Sequence, residues 1–156
     1  MSLSASLAAA AFLAGSVGYE CMLDAPRALG GAPGEERSSA IGIPDAGPLR
    51  FRVNLSRTGS GDLEADVRWP GDPFAISGRT AALQTGEGAV AFIAMSAGPC
   101  LFTEAACLTL VNLVDETPQR ANVVLTPSAL VRDEAGVRRP LNILLSGTCT
   151  RSESYR

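Results

Sequence analysis

Three carboxylates alternate along one short segment of the chain, at Asp62, Glu64 and Asp66. Alternate residues of a β-strand point to the same face, so these side chains would lie in a row. Two carboxylates that line a cleft, one of them with a raised pKa, can cleave a glycosidic bond. Because Arg50 and Arg52 are predicted on the neighbouring strand, a solvated row of neutralised charges explains the same pattern. We therefore expect a surface rather than an active site here, and a carboxylate-only hydrolase is the alternative.

The types of basic residue exclude several catalytic mechanisms. The sequence has no histidine, and all 13 of its basic residues are arginine. Catalytic triads, Cys–His pairs and His-containing zinc sites need an imidazole, and Schiff bases or a phosphate-binding loop need a lysine amine. The formal net charge of −3 argues against a nucleic-acid surface, which needs clustered positive charge. We therefore expect a protein that is not an enzyme and has no cofactor, metal or nucleic-acid partner.

The four cysteines are Cys21, Cys100, Cys107 and Cys149. Four cysteines permit three pairings, of which we favour Cys100 with Cys107 across a short loop and Cys21 with Cys149 near the two ends of the mature chain. A four-thiolate zinc site is the less favoured alternative, because the paired close spacings of zinc knuckles are missing. An even number of cysteines without a C-x-x-C pair is typical of an exported, disulfide-bonded protein.

The segment 100–107 could also bind a partner. It carries the apolar pair Leu101 and Phe102 next to Glu104. A disulfide that closes the segment would lower the cost of ordering these side chains on binding. Alternatively, Phe102 folds back and covers the core. We therefore name Leu101, Phe102 and Glu104 as a possible partner-binding loop, which a small secreted enzyme inhibitor could use.

The N-terminal segment 1–18 has no charged side chain, and residues 7–14 form an uninterrupted apolar run before small residues. This pattern is typical of a secretory signal peptide, with cleavage before Tyr19 or before Val17. An uncleaved apolar anchor and a buried helix are the alternatives, although the run is shorter than the ~20 residues of a membrane span. We expect a periplasmic or secreted protein without an integral membrane span unless this segment is retained.

The remaining chain is long enough for one domain, which we place at residues 19–149, followed by a polar tail at 150–156. Its clearest element is a β-hairpin of residues 49–55 and 63–69, joined by a turn at 57–61. The register that we predict places Arg52 opposite Asp66, so that an opposite-charge pair forms outside while apolar pairs meet inside. Trp69 falls on the inward face.

Further strands complete an all-β chain. The apolar run 89–95 predicts either a central strand that is covered on both faces or a strand in a sandwich core. Residues 25–39 are predicted to be a flexible loop, and residues 70–83 an irregular crossing between sheets. The other predicted strands are residues 19–23, 107–114, 121–126, 129–132 and 141–149. About seven or more short strands indicate a single antiparallel β-sandwich or a partly open barrel.

The sequence therefore favours a non-enzymatic exported β-sandwich protein with a structural, accessory or binding role in the bacterial envelope. Its partner would be a protein or an envelope polymer. This interpretation rests mostly on the absence of histidine and lysine, which excludes most catalytic mechanisms. The enzyme inhibitor that uses the 100–107 loop and the carboxylate-only hydrolase are the two alternatives.

Overall fold

The computed structural model describes residues 15–24, 27–29, 39–40, 49–100, 106–132 and 135–154. These residues form strands and the turns that connect them. Within these ranges no helix has the length and apolarity of a membrane span. The strands are β1 (Ser16–Leu23), β2 (Arg27–Leu29), β3 (Ser39–Ala40), β4 (Arg50–Arg57), β5 (Leu63–Arg68), β6 (Gly78–Gly86), β7 (Ala89–Pro99), β8 (Ala106–Thr117), β9 (Arg120–Arg132) and β10 (Arg138–Ser154).

Eight of these strands form a closed antiparallel barrel. β4 to β10 pair in chain order, and β1 closes the ring by pairing with both β4 and β10. Closure leaves none of these eight strands as a free edge along the seam. β2 and β3 extend the sheet from β10 outside the ring. The predicted all-β antiparallel class is confirmed, and of the two predicted architectures the chain adopts the barrel, in closed form.

The interior of the barrel is filled by side chains. Strand residues alternate between the inside and the outside, as the pleat requires, and the inward ones form one apolar core. At the seam Cys21 of β1 lies directly opposite Cys149 of β10. The most deeply buried members, at most 1% exposed, are Val53, Leu55, Ala65, Val67, Phe74, Val111, Ala121, Val123, Leu125, Leu145 and Cys149.

An aromatic cluster closes one end of the barrel. Trp69 faces inward as predicted and is 5% exposed. Its ring stacks on Phe51 with the centroids 5.1 Å apart and meets the edge of Phe74 at 5.9 Å. The loop after β5 holds Phe74 in place because the carboxylate of Asp72 accepts hydrogen bonds from the backbone N–H groups of Phe74 and Ser77.

The β4–β5 hairpin has the predicted faces, but its register differs from the prediction by two residues. Arg52 lies opposite Arg68, and Asp66 lies opposite Asn54. A slip of two residues leaves every side chain on its own face, so the apolar pattern is satisfied equally well by both registers. The predicted charge pair between Arg52 and Asp66 was therefore wrong.

The turn decides this register. The backbone N–H of Thr58 donates to the carbonyl of Asp62, and that of Gly61 donates to the carbonyl of Thr58. The turn therefore comprises residues 58–62 rather than 57–61. Gly61 adopts a φ of 90°, which glycine reaches without the steric cost that a side chain would add.

Two other segments differ from the prediction. The stretch predicted as an irregular crossing becomes strand β6 from Gly78 onward; the alternation is hidden because Ala82 is its one buried residue. The segments 121–126 and 129–132 form one strand, β9, in which buried Pro127 lies opposite Thr109. β2 and β3 lie in part of the chain predicted to be a flexible loop.

The barrel also extends past the predicted domain limits of 19–149. β1 begins at Ser16, and Val17 is 2% exposed in the interior. β10 runs to Ser154, through most of the segment predicted as a polar tail, because its backbone pairs with β1 along the whole seam. The apolar run 7–14 of the predicted signal segment lies outside the described residues.

Candidate functional site

A cluster of three polar side chains lies inside the end of the barrel opposite to the aromatic cluster. Tyr19 of β1 donates its hydroxyl to Oδ1 of Asp115 at 2.9 Å. Arg151 of β10 contacts Oδ2 of the same carboxylate through Nη1 at 2.8 Å. The side chains of Arg151 and Asp115 are 3% and 13% exposed. One carboxylate therefore links β1, β8 and β10 where the barrel closes.

Burial sets the ionisation of this cluster. Burial raises the pKa of Asp115 above its ordinary value, while the Tyr19 hydrogen bond and the Arg151 charge act in the opposite direction. Burial also raises the pKa of the Tyr19 phenol, and the neighbouring Asp115 carboxylate adds to that increase. Both carboxylate oxygens are engaged by groups of the protein itself. We therefore interpret the cluster as a structural element of the barrel end.

The row of carboxylates lies on the outer wall of the barrel. Asp62 belongs to the turn and accepts a hydrogen bond from Ser60. Glu64 lies 3.9 Å from Arg79, and Asp66 lies 3.4 Å from Arg68. Each strand carboxylate thus has an arginine beside it, which is the arrangement of a charged, solvated surface.

The disulfides join Cys21 to Cys149 and Cys100 to Cys107, which is the pairing favoured from the sequence. Where the short bridge leaves the barrel, Ser96 accepts a hydrogen bond from the backbone N–H of Cys107. The predicted partner-binding residues Leu101, Phe102 and Glu104 lie outside the described residues. Among the described residues, no group of three His, Cys, Asp or Glu side chains is placed to hold a metal ion.

The outer wall of β6 to β8 carries an exposed apolar surface that the sequence did not indicate as a site. We define the apolar face as Leu83 of β6, Ile93 and Met95 of β7, and Leu108 and Leu110 of β8. Ile93 lies opposite Leu110 and Met95 opposite Leu108, so these side chains are direct cross-strand neighbours. Leu83 and Met95 are 71% and 73% exposed. Contiguous apolar surface of this kind marks interaction sites more often than isolated exposed residues do.

The polarity of β8 is inverted where it crosses this face. The inward position between Leu108 and Leu110 is Thr109, which is fully buried. Its hydroxyl has no hydrogen-bond partner among the described residues. Folding alone would favour the opposite arrangement, because a buried hydroxyl without a partner costs free energy and an exposed leucine gains little.

The sequence contains one signal for the apolar face, the uninterrupted apolar run 89–95. This run predicts a strand that is covered on both faces or that lies in a sandwich core. The structure covers only its inner side chains, such as Val90 and Phe92, and leaves Ile93 and Met95 exposed. A strand that is apolar on both faces needs a second layer, and within the described residues no second layer covers this wall.

No protein-family model matches the chain, and no curated protein sequence matches it. One solved structure similar to this chain is a mutant of the vaccine antigen Transferrin Binding Protein B (TbpB) from Haemophilus parasuis Hp5. The two share 9% sequence identity with a TM-score of 0.44, and the match covers 91% of this chain and 27% of that chain. This chain therefore spans 27% of the length of that protein.

Proposed function

We propose that this chain is a non-enzymatic exported binding protein that docks a partner protein on its apolar face. The observation that carries the proposal is the pattern of β7 and β8, whose outer side chains are as apolar as their inner ones. Ile93, Met95, Leu108 and Leu110 are all exposed on the outer wall. Burial of such side chains against a partner removes apolar surface from water, which favours association.

The interior of the barrel supports a role in binding at the outer surface. Barrels that carry a small ligand hold it in an internal cavity, whereas here inward side chains fill the core and Trp69 and Phe74 close one end. The carboxylate-only hydrolase is the less favoured alternative, because Glu64 and Asp66 lie beside arginines on the outer wall.

The apolar face is continuous in sequence with the predicted partner-binding loop. Met95 on β7 and Leu108 on β8 are the members of the apolar face nearest to the short disulfide. The bridge from Cys100 to Cys107 joins the same two strands just beyond them. The apolar centre that the face provides favours a protein partner, because the buried core of a protein interface is apolar.

The double variant I93T/M95Q tests the face. We expect it to weaken binding of the partner at least tenfold, since truncating central apolar side chains of an interface typically costs ~1–2 kcal/mol or more each. The partner would first be identified by a photo-crosslinking amino acid at position 95 in the native host, followed by mass spectrometry. The purified partner would then be titrated against wild type and variant by isothermal titration calorimetry.

Met22 provides the matched control. It is 54% exposed on β1, on the opposite wall of the barrel. We expect M22Q to bind the partner as wild type does, and a crosslinker at position 22 not to capture it. Crosslinks to a second copy of this chain, or equal losses for M22Q and I93T/M95Q, would contradict docking of a partner protein at the apolar face.

Export forms the second part of the proposal. The two disulfides are compatible with an oxidising compartment, where such bridges form and persist. Of the two predicted cleavage positions, the one before Val17 retains this buried residue in β1. Intact-mass measurement of protein from the native host should therefore give a chain that begins near Val17 with no free thiol. Full-length chain in the cytosol with reduced cysteines would overturn the export proposal.

A further inference from the structure

The wall opposite the apolar face contains a groove lined by arginines. The groove has a volume of about 590 Å³ and lies over β10, β1, β4 and β5. Across these strands the outward residues Thr150, Glu20, Arg52 and Arg68 are consecutive cross-strand partners. Arg50 lies two residues before Arg52 on the same face of β4. Three guanidinium groups therefore converge on one concavity of a chain whose formal net charge is −3.

The arginines keep hydrogen-bonding capacity for a ligand. Arg52 contacts Glu20 at 2.7 Å, and Arg68 contacts Asp66 at 3.4 Å. A guanidinium carries five N–H donors, and one carboxylate uses at most two of them. Arg50 has no ion-pair partner among the described residues, and its side chain is exposed in the groove. The groove thus offers donors and positive charge that the protein does not satisfy itself.

The register of the hairpin brings two of the groove's arginines together. Arg52 and Arg68 lie directly opposite each other across β4 and β5. Like charges in this position destabilise a sheet pair. The alternative register, shifted by two residues, would pair Arg52 with Asp66 but would place Arg50 opposite Arg68. Either register therefore sets two arginines side by side, and an anion between Arg52 and Arg68 would relieve their repulsion in the register that forms.

We propose that this groove binds an anionic ligand through two or more phosphate or carboxylate groups, with Arg50 and Arg68 as the main contacts and Arg52 positioned by Glu20. The guanidinium fork matches the oxygens of either group. The groove is much larger than one such group, so the ligand is a multiply charged small molecule or a segment of an anionic polymer. This site lies on the other wall from the apolar face and does not depend on the docking proposed there.

Titration of the purified, disulfide-bonded chain at physiological salt tests the site. The probes are inorganic pyrophosphate and citrate as small anions and long-chain inorganic polyphosphate as a polymer. We expect saturable binding of at least one probe, and R50Q/R68Q should weaken it by roughly tenfold or more, as the loss of two charge-assisted contacts predicts. Preference for polyphosphate over pyrophosphate would identify a polymer segment, and the reverse a free anion.

The control variant is R79Q/R138Q, which changes the net charge equally at two exposed arginines that do not line the groove. It should bind the probes as wild type does. In the absence of ligand, R68Q should melt at the same temperature as wild type or higher, because it removes the repulsion from Arg52; a merely structural arginine would lower the midpoint. Absence of saturable binding by every probe, or equal losses in both double variants, would overturn the proposal.

Discussion

Replacing Cys21 and Cys149 together by alanine is expected to lower the free energy of unfolding by about 5 kcal/mol. The bridge spans 128 residues of sequence, and cross-linking so long a loop restricts the unfolded chain strongly. It also joins β1 to β10 at directly opposed positions, where the barrel closes. Both sulfurs belong to residues at most 3% exposed, so the substitution adds a small void to the core.

The matched variant is C100A/C107A, which also removes one bridge and leaves no unpaired thiol at the site. Its loop spans 7 residues, for which chain entropy predicts a loss of about 2.4 kcal/mol. Urea unfolding of wild type and both variants gives the three free energies. Peptide mapping under non-reducing conditions should precede this comparison and recover Cys21 linked to Cys149. An equal or larger loss for C100A/C107A would show that loop length does not govern these bridges.

The sequence predicted the strands whose inner and outer residues differ clearly in polarity. The β4–β5 hairpin and the inward direction of Trp69 follow from period-two alternation, since a pleated strand buries every second residue. The favoured cysteine pairing also implied that the first and last strands are neighbours. That neighbourhood, now seen as Cys21 opposite Cys149, is the contact that closes the barrel.

Features that leave no period-two alternation of polar and apolar residues were not predicted. Strand β6 buries only Ala82 and is held by backbone hydrogen bonds to β5 and β7, so its sequence resembles a loop. The seam between β1 and β10 extends to Ser154 although Arg151, a charged residue, occupies an inward position. A carboxylate from β8, distant in sequence, makes this burial possible, and no local pattern reveals such a partner.

The candidate sites were missed for a related reason. β7 and β8 are apolar on both sides, and only the closure of the barrel determines which side is outside. The position of the apolar face therefore depends on closure. The arginine groove depends on a register that the turn at Thr58–Gly61 fixes, because the alternative register would have given Arg52 a carboxylate partner. For each site, two tertiary arrangements satisfy the local sequence pattern equally well, and the site depends on which of them forms.

Replacing Arg151 by methionine is expected to destabilise the protein by about 3–5 kcal/mol at neutral pH. The variant removes the cation that lies 2.8 Å from Asp115 and leaves a partly buried carboxylate with the Tyr19 hydroxyl as its remaining described partner. Breaking a buried ion pair by removing one partner costs roughly this amount. Methionine fills a similar length, so a lost cavity-filling side chain contributes little to the expected effect.

The loss should depend on pH with a definite sign. Burial already raises the pKa of Asp115 in the folded protein, and without Arg151 a charge that lowers it is gone. The folded state of the variant therefore holds the proton to higher pH than wild type does. When the pKa of a group is higher in the folded state than in the unfolded state, the free energy of unfolding falls as pH rises between the two pKa values. The deficit of R151M should thus shrink as pH falls and Asp115 becomes protonated in both proteins, and it should grow as pH rises toward neutrality.

The double variant D115N/R151M separates the charge from the packing. Asparagine keeps an oxygen that can accept the Tyr19 hydrogen bond but carries no charge to bury. At pH 7 the double variant should recover most of the stability lost in R151M, and residue 115 should no longer contribute to the pH dependence of its stability, because asparagine does not ionise. Thermal unfolding of the single and double variants across this pH range measures both effects. If R151M and D115N/R151M are equally destabilised at pH 7, Arg151 stabilises the barrel end through its packing and backbone contacts rather than by neutralising Asp115.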